Sequence, residues 1–218
     1  MNPDLPLDQA FGTSDATGAP AFDADDVDRA RSEEYALLAS LLLAPPDADF
    51  LTRLSFLQES DDTPLGRAHA HLGRAASSVS AEAVKREYFD LFIGIGRGEL
   101  LPYASYYLTG FLNERPLAYL RGDMMRLGIE RADGHSEPED HLGTLCEIMS
   151  GLASDHFAAQ PDDERKFFER HLAPWAGRFF TDLESAKAAK LYRAVGTLGR
   201  LFMEIEGEAF AMEARRSA

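Results

Sequence analysis

Residues whose types and spacing suit chemistry fall in two stretches. The first is Glu87-Tyr88-Phe89-Asp90-Leu91-Phe92, which runs through Gly94-Ile95-Gly96-Arg97-Gly98 into Pro102-Tyr103-Ala104-Ser105-Tyr106-Tyr107-Leu108. The second is Glu137-Pro138-Glu139-Asp140-His141. Alternating glycines suggest a phosphate cradle. A dinucleotide fingerprint, however, needs a strand before it, G-x-G-x-x-G spacing and a helix opening directly on it. Here the preceding segment has a helical period, the third glycine comes one position early, and Pro102 interrupts the segment after it. A P-loop would also need Gly-Lys-Ser/Thr, which is absent. A loop between two helices suits the glycines better, because they permit positive φ. A nucleotide (GTP) hydrolase built on Gly94–Gly98 is the enzymatic alternative.

The second stretch sets three carboxylates beside a histidine. Di-metal carboxylate bundles use Glu-x-x-His pairs on facing helices, and the chain has no Glu-x-x-His. H-E-x-x-H is also missing, so no metal site is expected. The pattern suits a helix start, with Pro138 at the first helical position and the acids favoured by the helix dipole. Nucleophilic catalysis has no support either. Ser105 lacks a nucleophile-elbow sequence. Cys146, the one cysteine, sits among Leu142, Leu145 and Met149 with no basic partner within a turn, and reads as a small buried hydrophobe. His69 and His71 lie on an alanine-rich helix and are expected at the surface. No catalytic residue, cofactor or metal is expected.

The elements that must position these stretches read as helices. Apolar periods near 3.6 predict helices from about Asp26 to Leu43, from Asp49, from Thr63-Pro64 to Ser77, and from Ser80 through Phe92. Others come at Ser105–Leu112, from Pro116 to a stop at Gly128, from Pro138, at Asp162–His171, at Pro174–Leu183 and at Ser185–Ala211. No run of alternating β-branched residues appears. The expectation is an all-α bundle or array of about nine to ten helices. Residues 1–25 are rich in Pro, Gly, Ala, Asp and Thr without an apolar period, and read as a flexible tail before a single domain at 26–218.

Bulk properties narrow the partners. In 218 residues, 45% of them hydrophobic, there is material for one sizeable core. A formal net charge of −15 disfavours nucleic acid and anionic lipid and favours a basic ligand, although solubility alone would also explain it. The N-terminus carries no basic and apolar export pattern, and the longest apolar run, Tyr35–Ala44, is too short to span a bilayer. A cytoplasmic protein without direct membrane insertion is expected.

In order and spacing, several segments resemble the TorD/DmsD family of molybdoenzyme maturation chaperones. They are Tyr88-Phe89-Asp90-Leu91-Phe92, Pro102 to Leu108, Pro116-Leu117, Glu137 to His141, and His171-Leu172-Ala173-Pro174-Trp175 with Phe179-Phe180. The resemblance spans roughly Glu34 to Glu204. It implies an all-helical fold, no catalysis, and a role in holding one apo molybdenum-cofactor oxidoreductase subunit, of formate dehydrogenase or sulfoxide/N-oxide reductase type, until its cofactor is inserted. It also implies binding of that client's twin-arginine signal peptide, which delays export. Weak guanine-nucleotide binding and a monomer or domain-swapped dimer belong to the same expectation, with the loop Ile129–Ser136 as a hinge.

Residues and resemblance converge on one surface. Twin arginines followed by an apolar stretch would be complemented by tyrosines and aliphatics edged with carboxylates. The candidate client-binding residues are Tyr103, Ser105, Tyr106, Glu137, Pro138, Glu139, Asp140 and His141. Asp140 and His141 stand out as a polar pair, with Tyr103, Ser105 and Tyr106 as neighbours. The alternative is that these five lock the interhelix loop to the following helix start. A generic helical protein-binding scaffold remains the third functional reading.

Overall fold

Described residues in the structure, a computed structural model, are 24–57, 62–130, 137–154, 156–157, 160 and 162–216. Among them are ten α-helices and one π-helical turn: α1 (Ala24–Leu43), α2 (Ala48–Ser55), α3 (Pro64–Ser77), α4 (Ala81–Tyr88), the π-turn (Phe89–Ile93), α5 (Ala104–Thr109), α6 (Arg115–Arg126), α7 (Leu142–Ala153), α8 (Asp163–His171), α9 (Ala176–Ser185) and α10 (Leu191–Arg216). Among the described residues there is no strand, only an isolated antiparallel bridge between Tyr103 and His141. The tail expected at 1–25 lies almost wholly outside the described residues, as does most of the expected hinge.

Local signals set several boundaries. Thr63 caps α3, its side chain accepting the Gly66 N–H at 3.0 Å, and Pro64 comes next at the first turn. Gly128, at φ +67°, ends α6 where a side chain would be strained. The core runs continuously from Tyr35 to Phe210. Trp175, Phe179 and Phe180 lie fully buried in it, so the His171-to-Phe180 segment contributes core. Each such side chain contributes about 1.5–3 kcal/mol on burial. α1 packs most extensively on α7, and α10 on α9 and α3.

Four expectations need correction. First, α7 does not open at Pro138: it starts at Leu142, with His141 as its cap. His141 is extended, at φ −66° and ψ 134°, so Glu137 to Asp140 form a turn before the helix rather than its first turn. Second, α10 starts at Leu191 rather than Ser185. The buried Glu87 carboxylate accepts the N–H groups of Lys190, Leu191 and Tyr192 at 2.6, 3.2 and 2.8 Å and fixes the helix start there. Glu99 holds the preceding loop by accepting the Lys187 and Ala188 N–H groups. Third, α5 stops at Thr109, where Gly110 turns left-handed at φ +84°. Fourth, His69 is not a free surface residue, because its Nε2 meets Glu34 at 2.8 Å.

A carboxylate-rimmed cleft beside a locked turn

The bridge at Tyr103 and His141 is the foundation of the site. The Ala104 N–H donates to Asp140 O at 2.9 Å, and the Leu142 N–H donates to Pro102 O at 2.8 Å. These bonds join the α4–α5 loop to the start of α7. Asp140 is fully buried, and its Oδ2 accepts both the Ser105 N–H, at 2.8 Å, and the Ser105 hydroxyl, at 2.5 Å. One carboxylate thus anchors the N-terminus of α5 from a different segment. His141 Nδ1 accepts the Gly143 N–H at 3.1 Å, and its ring packs edge-on against Tyr103. Burial lowers the His141 pKa to about 4, which keeps Nδ1 free to accept. The Tyr103 hydroxyl donates to Glu137, and burial followed by that bond raises the Tyr103 pKa.

The expected residues therefore separate into two roles. Tyr103, Ser105, Asp140 and His141 come together as the lock. Pro138 contributes its carbonyl to that turn, accepting the His141 N–H at 3.2 Å. Glu137 and Glu139 instead line a cavity of about 350 Å³. Tyr106 joins neither group and lies beneath Arg97, 5.5 Å from guanidinium to ring centre.

Sequence reasoning missed most of the cavity. Its apolar lining comes from Leu43, Met124, Ile129, Ile148 and Phe157. Glu130 and Glu147 join Glu137 and Glu139, so four carboxylates line it. Glu147 and Ile148 share α7 with the buried stripe of Leu142, Leu145 and Met149. Thr144, Glu147 and Ile148, spaced three and four apart, are a second face of that helix, and this spacing was the available signal. A second cavity of about 430 Å³ adjoins the first, sharing Met124, Ile129, Glu130 and Glu139 and adding Arg121 and Met125.

The glycine loop is built for chain reversal. Gly94 terminates the π-turn at φ +63°, and its N–H already donates to Phe89 O at 2.7 Å. A side chain at Gly98 would fall 2.5 Å from the Phe92 backbone, so the loop must lie flat on the π-turn. It also sits after the C-terminal end of a helix, where the dipole repels phosphate. No group of three or more His, Cys, Asp or Glu side chains among the described residues is placed to hold a metal. Cys146 is fully buried, and burial pushes its thiol pKa up, away from nucleophilic use.

The described residues thus form an all-helical body with a locked turn beside an apolar, acid-rimmed cleft. Residues 58–181 match the family described as nitrate reductase delta subunit. The chain is 28% identical over 197 residues to the chaperone protein TorD of Vibrio cholerae serotype O1, covering 80% of this chain and 89% of that one. It is 26% identical over 208 residues to TorD of Aliivibrio fischeri, covering 84% and 95% respectively. The fold is similar to that of a candidate redox enzyme maturation protein of Archaeoglobus fulgidus, with a TM-score of 0.52, 21% identity, and coverage of 80% and 93%. The chain belongs to the TorD/DmsD family of molybdoenzyme maturation chaperones, a family of chaperones rather than enzymes.

Proposed function

We propose that this chaperone holds its molybdoenzyme client through the twin-arginine signal peptide, in the cleft between α6, α7 and the Glu137–Asp140 turn. One observation carries the reading: four carboxylates line a cavity whose other walls are Leu43, Met124, Ile129, Ile148 and Phe157. A guanidinium pair followed by an apolar segment matches both parts, charge against charge and aliphatic against aliphatic. Held there, the leader is withheld from export while the cofactor is inserted. The reading places the protein in the cytoplasm, where clients are completed. No helix among the described residues is long and apolar enough to cross a membrane. The client is a molybdenum-cofactor oxidoreductase subunit of formate dehydrogenase or sulfoxide/N-oxide reductase type. The protein acts as a monomer or domain-swapped dimer, with 26–218 as the working domain and 1–25 as an appended tail. The continuous core from Tyr35 to Phe210 supports a single working domain over the described residues.

Calorimetry with a synthetic peptide carrying two arginines and an apolar tail tests the reading. Glu137→Gln keeps the shape and removes one rim charge. A charge-assisted bond contributes about 1.5–3 kcal/mol, so affinity falls about tenfold or more. Unchanged affinity would remove Glu137 from the site.

A further inference from the structure

Glu139 lines both adjoining cavities, and an internal arginine already holds it. Arg121, on α6, places Nε at 3.0 Å and one terminal nitrogen at 2.8 Å from Glu139 Oε2. The two partners differ in exposure. The Glu139 side chain is 10% exposed and that of Arg121 is 54% exposed. The carboxylate is fixed in the wall by the locked turn next to it, whereas the guanidinium approaches from the solvent side. Glu139 draws the Arg121 pKa up, chiefly through this hydrogen bond.

From this asymmetry we infer that Arg121 is an internal competitor for the client's arginine, which displaces it from Glu139. The inference rests on the cleft being the client site. Replacing one guanidinium by another preserves the charge-assisted bond, so the exchange releases little free energy by itself. Arg121 thereby sets a threshold. Only a client whose remaining contacts with the apolar lining are good enough to seat its arginine against Glu139 gains that bond. The specificity of the chaperone then depends on the apolar segment as much as on the arginines.

Two measurements on the full chain test the inference, with a synthetic peptide of two consecutive arginines and an apolar tail as probe. The first tracks the Arg121 Nε–H resonance in the wild-type protein. At saturating peptide it moves to the position of a solvent-exposed arginine; a resonance unchanged in the saturated complex overturns displacement. The second is a cycle of Arg121→Gln and Glu139→Gln. Arg121→Gln tightens peptide binding about tenfold in the wild-type background and less than twofold beside Glu139→Gln, since the competitor acts through Glu139. Equal tightening in both backgrounds would mean a general field effect and overturn the inference. No tightening in either would do the same. Absence of peptide binding by the wild type and the variants alike would overturn the client-site reading itself.

Discussion

Two arginine–glutamate pairs in this molecule have the same chemistry and opposite settings. Arg31 and Glu206 join α1 to α10 at 2.7 and 2.8 Å, with side-chain exposures of 16% and 1%. Around them the Tyr35 hydroxyl donates to Glu206, Glu164 accepts from Arg31, and Phe210 lies under the guanidinium. Burial works against the Arg31 charge, but Glu206 and Glu164 outweigh it and hold the pKa above its usual value. Arg121 and Glu139 are similarly close, yet their cation faces solvent. The first pair fastens helices together, because its carboxylate is fully enclosed and cannot be rehydrated on leaving. The second can change partners, because its cation is rehydrated on leaving. Enclosure, more than distance, separates a structural ion pair from an exchangeable one.

The comparison breaks most easily at its closed end. Glu206→Gln leaves Arg31 without its main counter-charge, and breaking a buried pair costs about 3–5 kcal/mol. Urea unfolding of the variant should show a loss of that size without a change in m-value. A loss below about 1 kcal/mol would mean that the Arg31 pair is no more structural than the Arg121 pair.

A smaller effect comes from the turn that holds the open pair in place. His141 has a folded pKa of about 4, below the ordinary histidine value of 6.5, because its neutral ring is buried. Its contribution is complete above pH 6.5 and is lost as pH falls toward 4, by about 3 kcal/mol in all. Protonated Nδ1 can no longer accept the Gly143 N–H, so the cap of α7 fails together with the site of Glu139. His171 is also lowered by burial, although Asp123 opposes the shift, and it adds a loss in the same direction. His141→Asn retains a capping acceptor without a titratable ring, and should flatten the melting-temperature profile between pH 6.5 and 4. A profile as steep as that of the wild type would assign the loss elsewhere.

The range of the interactions decides how much of the structure is legible in the sequence. The starts and stops of α3 and α6 depend on Thr63, Pro64 and Gly128, which act within a few residues, and they were legible. The start of α10 depends on Glu87, 103 residues before the nearest N–H it accepts. No local pattern encodes that contact, and the apolar ridge of α10 gave no reason to start it later than Ser185. The acidic motif misled for a related reason. Glu, Pro and Asp suit a first helical turn, but the bridge to Tyr103 holds His141 extended and delays α7 to Leu142. The polar pair expected at a binding surface, Asp140 and His141, is instead buried in the lock. Glu137 and Glu139 line the cleft, and Phe157 joins it from beyond the end of α7, where no spacing rule reaches.

The open end of the comparison predicts the smallest effect on stability. With over half of its side chain exposed, Arg121 resembles a surface partner, and such pairs contribute about 0–1 kcal/mol. Arg121→Gln should therefore unfold within about 1 kcal/mol of the wild type in the absence of peptide. A cost matching that of Glu206→Gln would make Arg121 a structural residue and erase the distinction between the pairs.

Chemical-shift mapping tests most directly whether the client sits in the acid-rimmed cleft. With the arginine-containing peptide added to labelled protein, the largest shifts should fall on Leu43, Ile129, Ile148 and Phe157, which line the cleft. A larger groove, of about 690 Å³, lies along α10, lined by Phe168, Gly177, Gly207 and Met212. Shifts concentrated there, with the cleft undisturbed, would contradict that placement.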